Sequence, residues 1–152
     1  MYTEVDTTIS FLVKSLPTIY NNFYLEYIKQ FIQDKDINKT QIRAITFIYN
    51  YGSISMTNLC SMLNIEKGSL TSMIDDLSDK GYLVRIRDKK DRRKFNIALT
   101  RKGELLSEDF IELLKESLEE RIRKIDIDDL DSFIDSLKNI MGVMEKFEKD
   151  EQ

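Results

Sequence analysis

Between Leu70 and Leu99 the apolar residues change period, and that change limits the folds open to the chain. Leu70, Met73, Ile74 and Leu77 stand at i, i+3, i+4 and i+7, the stripe of a helix with one buried face, and Gly81 follows where a left-handed helix end is expected. Leu83 to Arg87 and Phe95 to Leu99 then alternate inward and outward residues around a polar turn from Asp88 to Lys94, which predicts a two-stranded hairpin. The helix face opposite the stripe carries Lys67, Ser69, Thr71, Ser72, Asp75 and Asp76.

Helical stripes flank this segment on both sides. Ile9, Leu12, Leu16, Ile19, Phe23, Tyr27 and Phe31 recur every three or four residues, with Pro17 as a start or kink. Asn38 and Gln41 have the spacing of a capping box, and the helix they open runs through Ile42, Ile45 and Ile48 to about Tyr51 and Gly52. Ser55 caps a short third helix with Met56, Leu59, Met62 and Leu63, and Asn64 and Ile65 form the turn to the fourth, which begins near Glu66. Thr100 caps a fifth helix from Glu104 to about Ile125, and a sixth starts at Asp128.

Charge is concentrated in one place. The chain has a net charge of −4, yet the eighteen residues from Arg85 to Lys102 hold nine Lys or Arg against two Asp, a local +7 that leaves −11 on the remainder. A basic hairpin on an acidic body is an electrostatic footprint for a polyanion.

Residue inventory removes several classes of function. Histidine is absent, which takes away the commonest metal ligand and the usual acid–base group near neutral pH. A calcium loop opening at Asp126 needs Gly at position 131 and Glu at 137, where Asp131 and Leu137 stand. No catalytic constellation, metal site or cofactor loop is expected. No apolar run exceeds three residues, so no membrane span is expected, and Glu4 and Asp6 precede the first Lys, the wrong order for a secretory signal. A cytoplasmic location follows as an expectation.

Short helix, turn, second helix and basic hairpin is the order of a winged helix-turn-helix. Ile37-Asn38-Lys39-Thr40-Gln41, Leu59-Cys60-Ser61-Met62-Leu63, and Ser69 to Leu77 with Lys80-Gly81-Tyr82-Leu83 behind them resemble successive signatures of the MarR family of transcription regulators. Asp91-Arg92-Arg93 followed by Leu99-Thr100-Arg101-Lys102-Gly103 resembles that family's most recognisable stretch. The resemblance implies a mainly α fold with a small β-hairpin wing, a lobe over residues 37-103, and dimerisation helices over 1-36 and 104-152, all in one integrated domain. It implies a homodimeric DNA-binding regulator, with repression the expected sign, on an inverted repeat whose half-sites lie about one helical turn apart. Independently, three amphipathic helices rich in Phe, Tyr, Leu and Met exceed what one small helix-turn-helix core requires.

DNA contacts are expected from Lys67, Ser69, Thr71 and Ser72 on the recognition helix and from Lys89, Lys90, Arg92, Arg93 and Lys94 on the wing, with Arg93 entering the minor groove and Asp91 bracing the loop. Relatives often carry basic residues at positions 72 and 76. Here Ser72 and Asp76 remove two phosphate-binding charges and add a repulsive one, which shifts the expected affinity toward the wing. Members commonly answer to a small molecule, and Tyr20, Phe23, Tyr24, Tyr27, Phe47 and Tyr51 are the candidate pocket lining, with dimer core as the plainer role for the same rings. Cys60 lies among apolar neighbours without a basic cluster, so it is expected to be structural. The alternative function is a winged-helix module that binds protein rather than DNA, for which Asp75 and Asp76 are the best support.

Overall fold

The computed structural model describes residues 2–150. It contains six helical stretches and one small sheet. The first stretch, α1, covers residues 2–31 and is α-helical at Tyr2–Ser10, Leu16–Tyr20 and Glu26–Phe31. Between these lie two π-helical turns, Phe11–Ser15 and Asn21–Leu25. Pro17 has no N–H, so the carbonyl four residues before it loses its partner; a wider turn just ahead, where the Leu16 N–H reaches back to the Phe11 carbonyl, carries the chain through without a break. The helix therefore begins seven residues before the predicted stripe and continues past Pro17.

Local chemistry sets the next boundaries. The α2 helix, Lys39–Tyr51, opens on a complete capping box: the Gln41 N–H donates to Asn38 Oδ1 and the Asn38 N–H to Gln41 Oε1, each at 2.9 Å. Strand β1, Ser53–Ser55, leads into α3, Met56–Leu63, whose first turn is capped by Ser55 Oγ accepting from the Asn58 N–H. Asn64 ends α3 in the left-handed conformation, φ 53°, and after a three-residue turn α4 runs from Lys67–Asp79. Gly81, φ 80°, ends α4: its N–H donates to the Ser78 carbonyl and that of Tyr82 to the Leu77 carbonyl, so the last carbonyls are paired.

Strands β2, Leu83–Arg87, and β3, Phe95–Leu99, form the wing. The predicted hairpin is part of a three-stranded antiparallel sheet in the order β1-β3-β2, with Ile54 opposite Ile97 and Leu83 opposite Leu99. The α5 helix, Arg101–Ile122, starts three residues earlier than expected, and α6 spans Ile127–Asp150.

Two compact units are distinguished, one ending at Leu114 and one beginning at Lys115. The core of the first joins Ile42, Ile45 and Ile48 of α2, Leu59 of α3, Leu70, Ile74 and Leu77 of α4, Ile97 of β3 and Phe110 of α5, all fully buried. Each such side chain contributes about 1.5–3 kcal/mol on burial, so the stripe of α4 is held firmly enough to fix which of its faces points outward. Among the described side chains of α1 only Tyr27, Ile28 and Phe31, in its last turns, are buried, while Ile9, Leu12, Val13 and Leu16 are exposed. In the second unit α6 has no buried residue among those described, and Met141, Val143, Met144 and Phe147 are exposed.

Candidate nucleic-acid interface

The outward face of α4 is small and polar. Lys67, Gly68, Ser69, Thr71 and Ser72 are exposed along its first two turns. Glu66, at the N-cap, makes no side-chain cap bond, so the first N–H groups of α4 remain open to an acceptor. Thr71 Oγ1 donates to the Lys67 carbonyl at 2.9 Å and Ser72 Oγ to that of Gly68 at 3.3 Å. With their protons committed, both hydroxyls face outward as acceptors, suited to the exocyclic amines of adenine and cytosine in a major groove.

Two of the three acidic side chains on this helix, Asp75 and Asp76, are compensated from within, and the third, Asp79, is exposed in its last turn. Asp75 is paired with Arg85 of β2. Asp76 receives Lys80 Nζ at 2.9 Å and the side-chain amide of Gln41, and Lys80 also reaches Asp36 at 3.3 Å. The Lys80 ammonium, with the Gln41 amide, holds the Asp76 carboxyl below the usual carboxylate range. The repulsion expected from Asp76 is thus offset, and the carboxylate instead ties the end of α4 to the cap of α2. The Asp75 partner, Arg85, belongs to another element, whereas Lys80 is the C-cap of α4 itself and stands four residues after Asp76, a spacing that sequence alone displays.

At the wing tip two carboxylates organise the backbone. Asp88 Oδ1 accepts from the N–H groups of Lys90 at 2.8 Å and Asp91 at 2.9 Å, and Oδ2 from the Asn96 amide at 3.0 Å. Asp91 Oδ1 accepts from the Arg93 N–H at 3.0 Å, and its carbonyl from the Lys94 N–H at 2.9 Å. Asp88, which sequence reasoning passed over, therefore makes more of these bonds than Asp91; an Asp followed two and three residues on by turn N–H groups is the signal that marks it. The N–H groups of Asp91 and Lys90, then the Asn96 amide, hold the Asp88 carboxyl below its usual range. A depressed folded value means that this brace is present above the ordinary carboxylate pKa and is lost as pH falls through the lower, folded one. Protection of the Lys90 and Asp91 amides, measured against the intrinsic exchange rate at each pH, is accordingly expected to persist at mildly acidic pH and to vanish only under strongly acidic conditions, and to be missing throughout in Asp88→Ala; equal protection in the two proteins would contradict the brace.

The nine cations of the basic segment divide into two groups. Arg85 pairs with Asp75, Arg101 with Glu104 and Glu108, Lys102 lies 4.4 Å from the Tyr82 ring, and the Arg87 guanidinium lies 6.0 Å from that of Phe95. Lys89, Lys90, Arg92 and Arg93 are exposed and make no side-chain hydrogen bond or ion pair with any described residue, and Lys94 is exposed in the field of Asp88. The structure thus brings the five predicted wing cations together at one tip.

The aromatic candidates divide as well. Tyr20 and Tyr24 lie 5.6 Å apart, Tyr24 and Phe110 5.9 Å, and Phe31 and Phe110 5.1 Å. Tyr27 is buried, Phe23 and Phe47 are half-buried, and Tyr51 is 63% exposed at the end of α2. Burial raises the Tyr24 hydroxyl pKa, Tyr20 adds to this, and Arg43 opposes it. Two polar groups that no sequence pattern marks lie beside these rings: Arg43, whose Nε is buried with no hydrogen-bond partner among the described residues, and Ser107, whose hydroxyl is likewise orphaned one turn before Phe110. Cys60 is a free, half-buried thiol.

A model of the MarR family matches residues 37–95. The chain is 29% identical over 114 residues to the HTH-type transcriptional regulator SarZ of Staphylococcus haemolyticus, covering 74% of this chain and 75% of that protein. A MarR family protein from Bacillus stearothermophilus has a similar fold, with a TM-score of 0.77, 21% identity, and coverage of 92% of this chain and 97% of that one. Streptococcus pneumoniae FabT, solved in complex with DNA, is similar at a TM-score of 0.71 and 21% identity over 97% of this chain and 99% of its own.

Proposed function

We propose that this chain, matched by a model of the MarR family over residues 37–95, is a transcription regulator of that family that binds duplex DNA as a homodimer, with α4 in the major groove and the wing on the adjacent minor groove and backbone. The observation that carries this reading is the division of charge: Asp75 and Asp76 of α4 are compensated internally, while Lys89, Lys90, Arg92 and Arg93 at the wing tip are exposed and make no ion pair with any described residue. Such a surface is cationic where it meets phosphate and nearly neutral where it meets bases. It also weakens the case for a protein-binding module, which rested on Asp75 and Asp76 as free charges.

The dimer is supported by exposed apolar side chains on the described part of α1 and, separately, on α6. Faces of this kind are normally covered, and a second copy supplies the matching surface. In this reading residues 37-103 are the DNA-binding lobe, and 1-36 and 104-152 supply dimerisation. Repression is the proposed sign, since a dimer seated on a promoter obstructs it. The role is one of binding alone, without catalysis or cofactor, in the cytoplasm where the DNA is; no helix among the described residues is long and apolar enough to cross a membrane. An effector pocket near Tyr20, Tyr24 and Phe110 is favoured by the orphaned Arg43 Nε and Ser107 hydroxyl, which call for a polar occupant. A thermal-shift screen with aromatic acids, fatty acids and dyes tests it.

Selection of bound duplexes from fragments of the source genome tests the main reading. Enrichment of an inverted repeat with half-site centres about 34 Å apart is the expected outcome. Absence of any enriched duplex would reject DNA recognition as the function.

A further inference from the structure

Resting on that function, we propose that the cleft between α4 and the wing seats one phosphate of the DNA backbone, in the strand that separates the major groove entered by α4 from the minor groove reached by the wing. The cleft has a volume of about 510 Å³. Lys67 of α4, Arg85 of β2 and Lys94 at the base of β3 line it, and no carboxylate does. Any backbone strand that runs from one groove to the next past a recognition helix and a wing must cross the space between these two elements, so the cleft lies on its path. Three cations on its walls, of which Arg85 alone is ion-paired to a described residue, make a phosphate the group that the cleft accepts best.

Two details favour a nucleotide phosphate. The remaining walls include Met56 and Phe95, apolar surfaces that suit the faces of flanking deoxyriboses. The Thr71 hydroxyl, which also lines the cleft, is turned back to the Lys67 carbonyl, and the hydroxyls of Ser55 and Thr57 stand on the same walls as further donors beside the cations. Arg85 is the pivotal group. Its ion pair with Asp75 runs through Nη2, and a guanidinium has five N–H donors, so the carboxylate orients the fork while other donors remain for the ligand. Asp75 is in this sense a positioning residue, and sequence reasoning placed neither it nor Arg85 among the DNA contacts.

The test uses the selected operator with a single uncharged methylphosphonate at each backbone position of a half-site in turn. Each duplex is titrated with the full-length protein and with its Lys67→Gln, Arg85→Gln and Lys94→Gln variants. One position between the major-groove and minor-groove contacts is expected to weaken wild-type binding about tenfold when neutralised, the size of one charge-assisted contact. The same substitution should weaken the Arg85→Gln protein less than about twofold, because the interaction is already lost. Lys67→Gln and Lys94→Gln, which break no ion pair, give the same coupling without risk to the fold. Strict additivity at every position in all three variants would overturn the seat while leaving DNA binding intact. Displacement of DNA by inorganic phosphate beyond that caused by chloride at equal ionic strength, abolished in Arg85→Gln, would assign the cleft to a free anion and also overturn it. Failure of the wild-type protein to bind any duplex would reject the function itself, and the seat with it.

Discussion

Replacing Lys89, Lys90, Arg92 and Arg93 together with Ser lowers operator affinity at least about a hundredfold at physiological salt and leaves the fold unchanged. Each neutralised phosphate contributes a log–log salt slope of about −0.9, so losing two to three contacts per wing in a dimer flattens the slope by roughly 4 to 5. The fold should survive because these side chains hold nothing in place: the turn is built by Asp88, Asp91 and Asn96, which remain. Stability is therefore expected to change by no more than about 0.5 kcal/mol. Arg93→Ala alone should account for a disproportionate part of the loss, and most of it on operators whose flanks have a narrow, A·T-rich minor groove. Salt titrations of wild type and variant, read beside thermal unfolding, check this. An unaltered slope would remove the wing from the interface.

Gly103→Ala produces the opposite pattern, a loss of fold that takes DNA binding with it. A Cβ built on Gly103 lies 2.3 Å from the Tyr82 carbonyl oxygen and 3.2 Å from a methyl of Leu99. The first obstacle is backbone, and it is pinned: the Tyr82 carbonyl accepts from the Thr100 N–H at 3.0 Å, and Thr100 Oγ1 donates to the Gly81 carbonyl at 2.6 Å. Relieving the clash means parting the start of α5 from the exit of α4, where wing, recognition helix and α5 meet. Overpacking against movable side chains costs about 1–3 kcal/mol, and a fixed carbonyl should exceed that range. Against a total stability of about 5–15 kcal/mol this lowers the melting temperature by 10 °C or more. A variant melting within 2 °C of wild type would show that the junction yields more easily than its bonds imply. The close approach also gives a physical reason for glycine in the Leu99 to Gly103 segment that resembles the family.

Much of this architecture was legible because it is local. The capping box at Asn38 and Gln41, the Ser55 cap, the left-handed Gly81 and the change of period after Leu77 all act within a few residues, and each appears as expected. Strand β1 was not legible: Ser53–Ser55 is three residues long and is defined only by pairing with β3. The two π turns of α1 leave its apolar spacing almost unchanged and so carry no pattern to read. In the interface, the exposed wing cations could be named from charge alone. What escaped was the pairing that determines which charges are free. Lys80 donates to the Asp36 carbonyl across 44 positions of sequence, and Arg85 meets Asp75 across ten, so the first contact exists only once α4 lies beside the segment before α2 and the second only once α4 has packed against the sheet. Arg85 therefore reads from sequence as one basic residue among nine, whereas the repulsive reading of Asp76 overlooks Lys80 four residues on, a local pair.

Hydroxyl-radical footprinting of the protein on its selected operator tests most directly whether paired helices and wings grip one face of a duplex. Two protected segments per half-site, symmetric about the centre of the repeat, with the outer segment lost in the four-residue wing variant, are predicted. A single asymmetric footprint, or an outer segment indifferent to the wing substitutions, would contradict it.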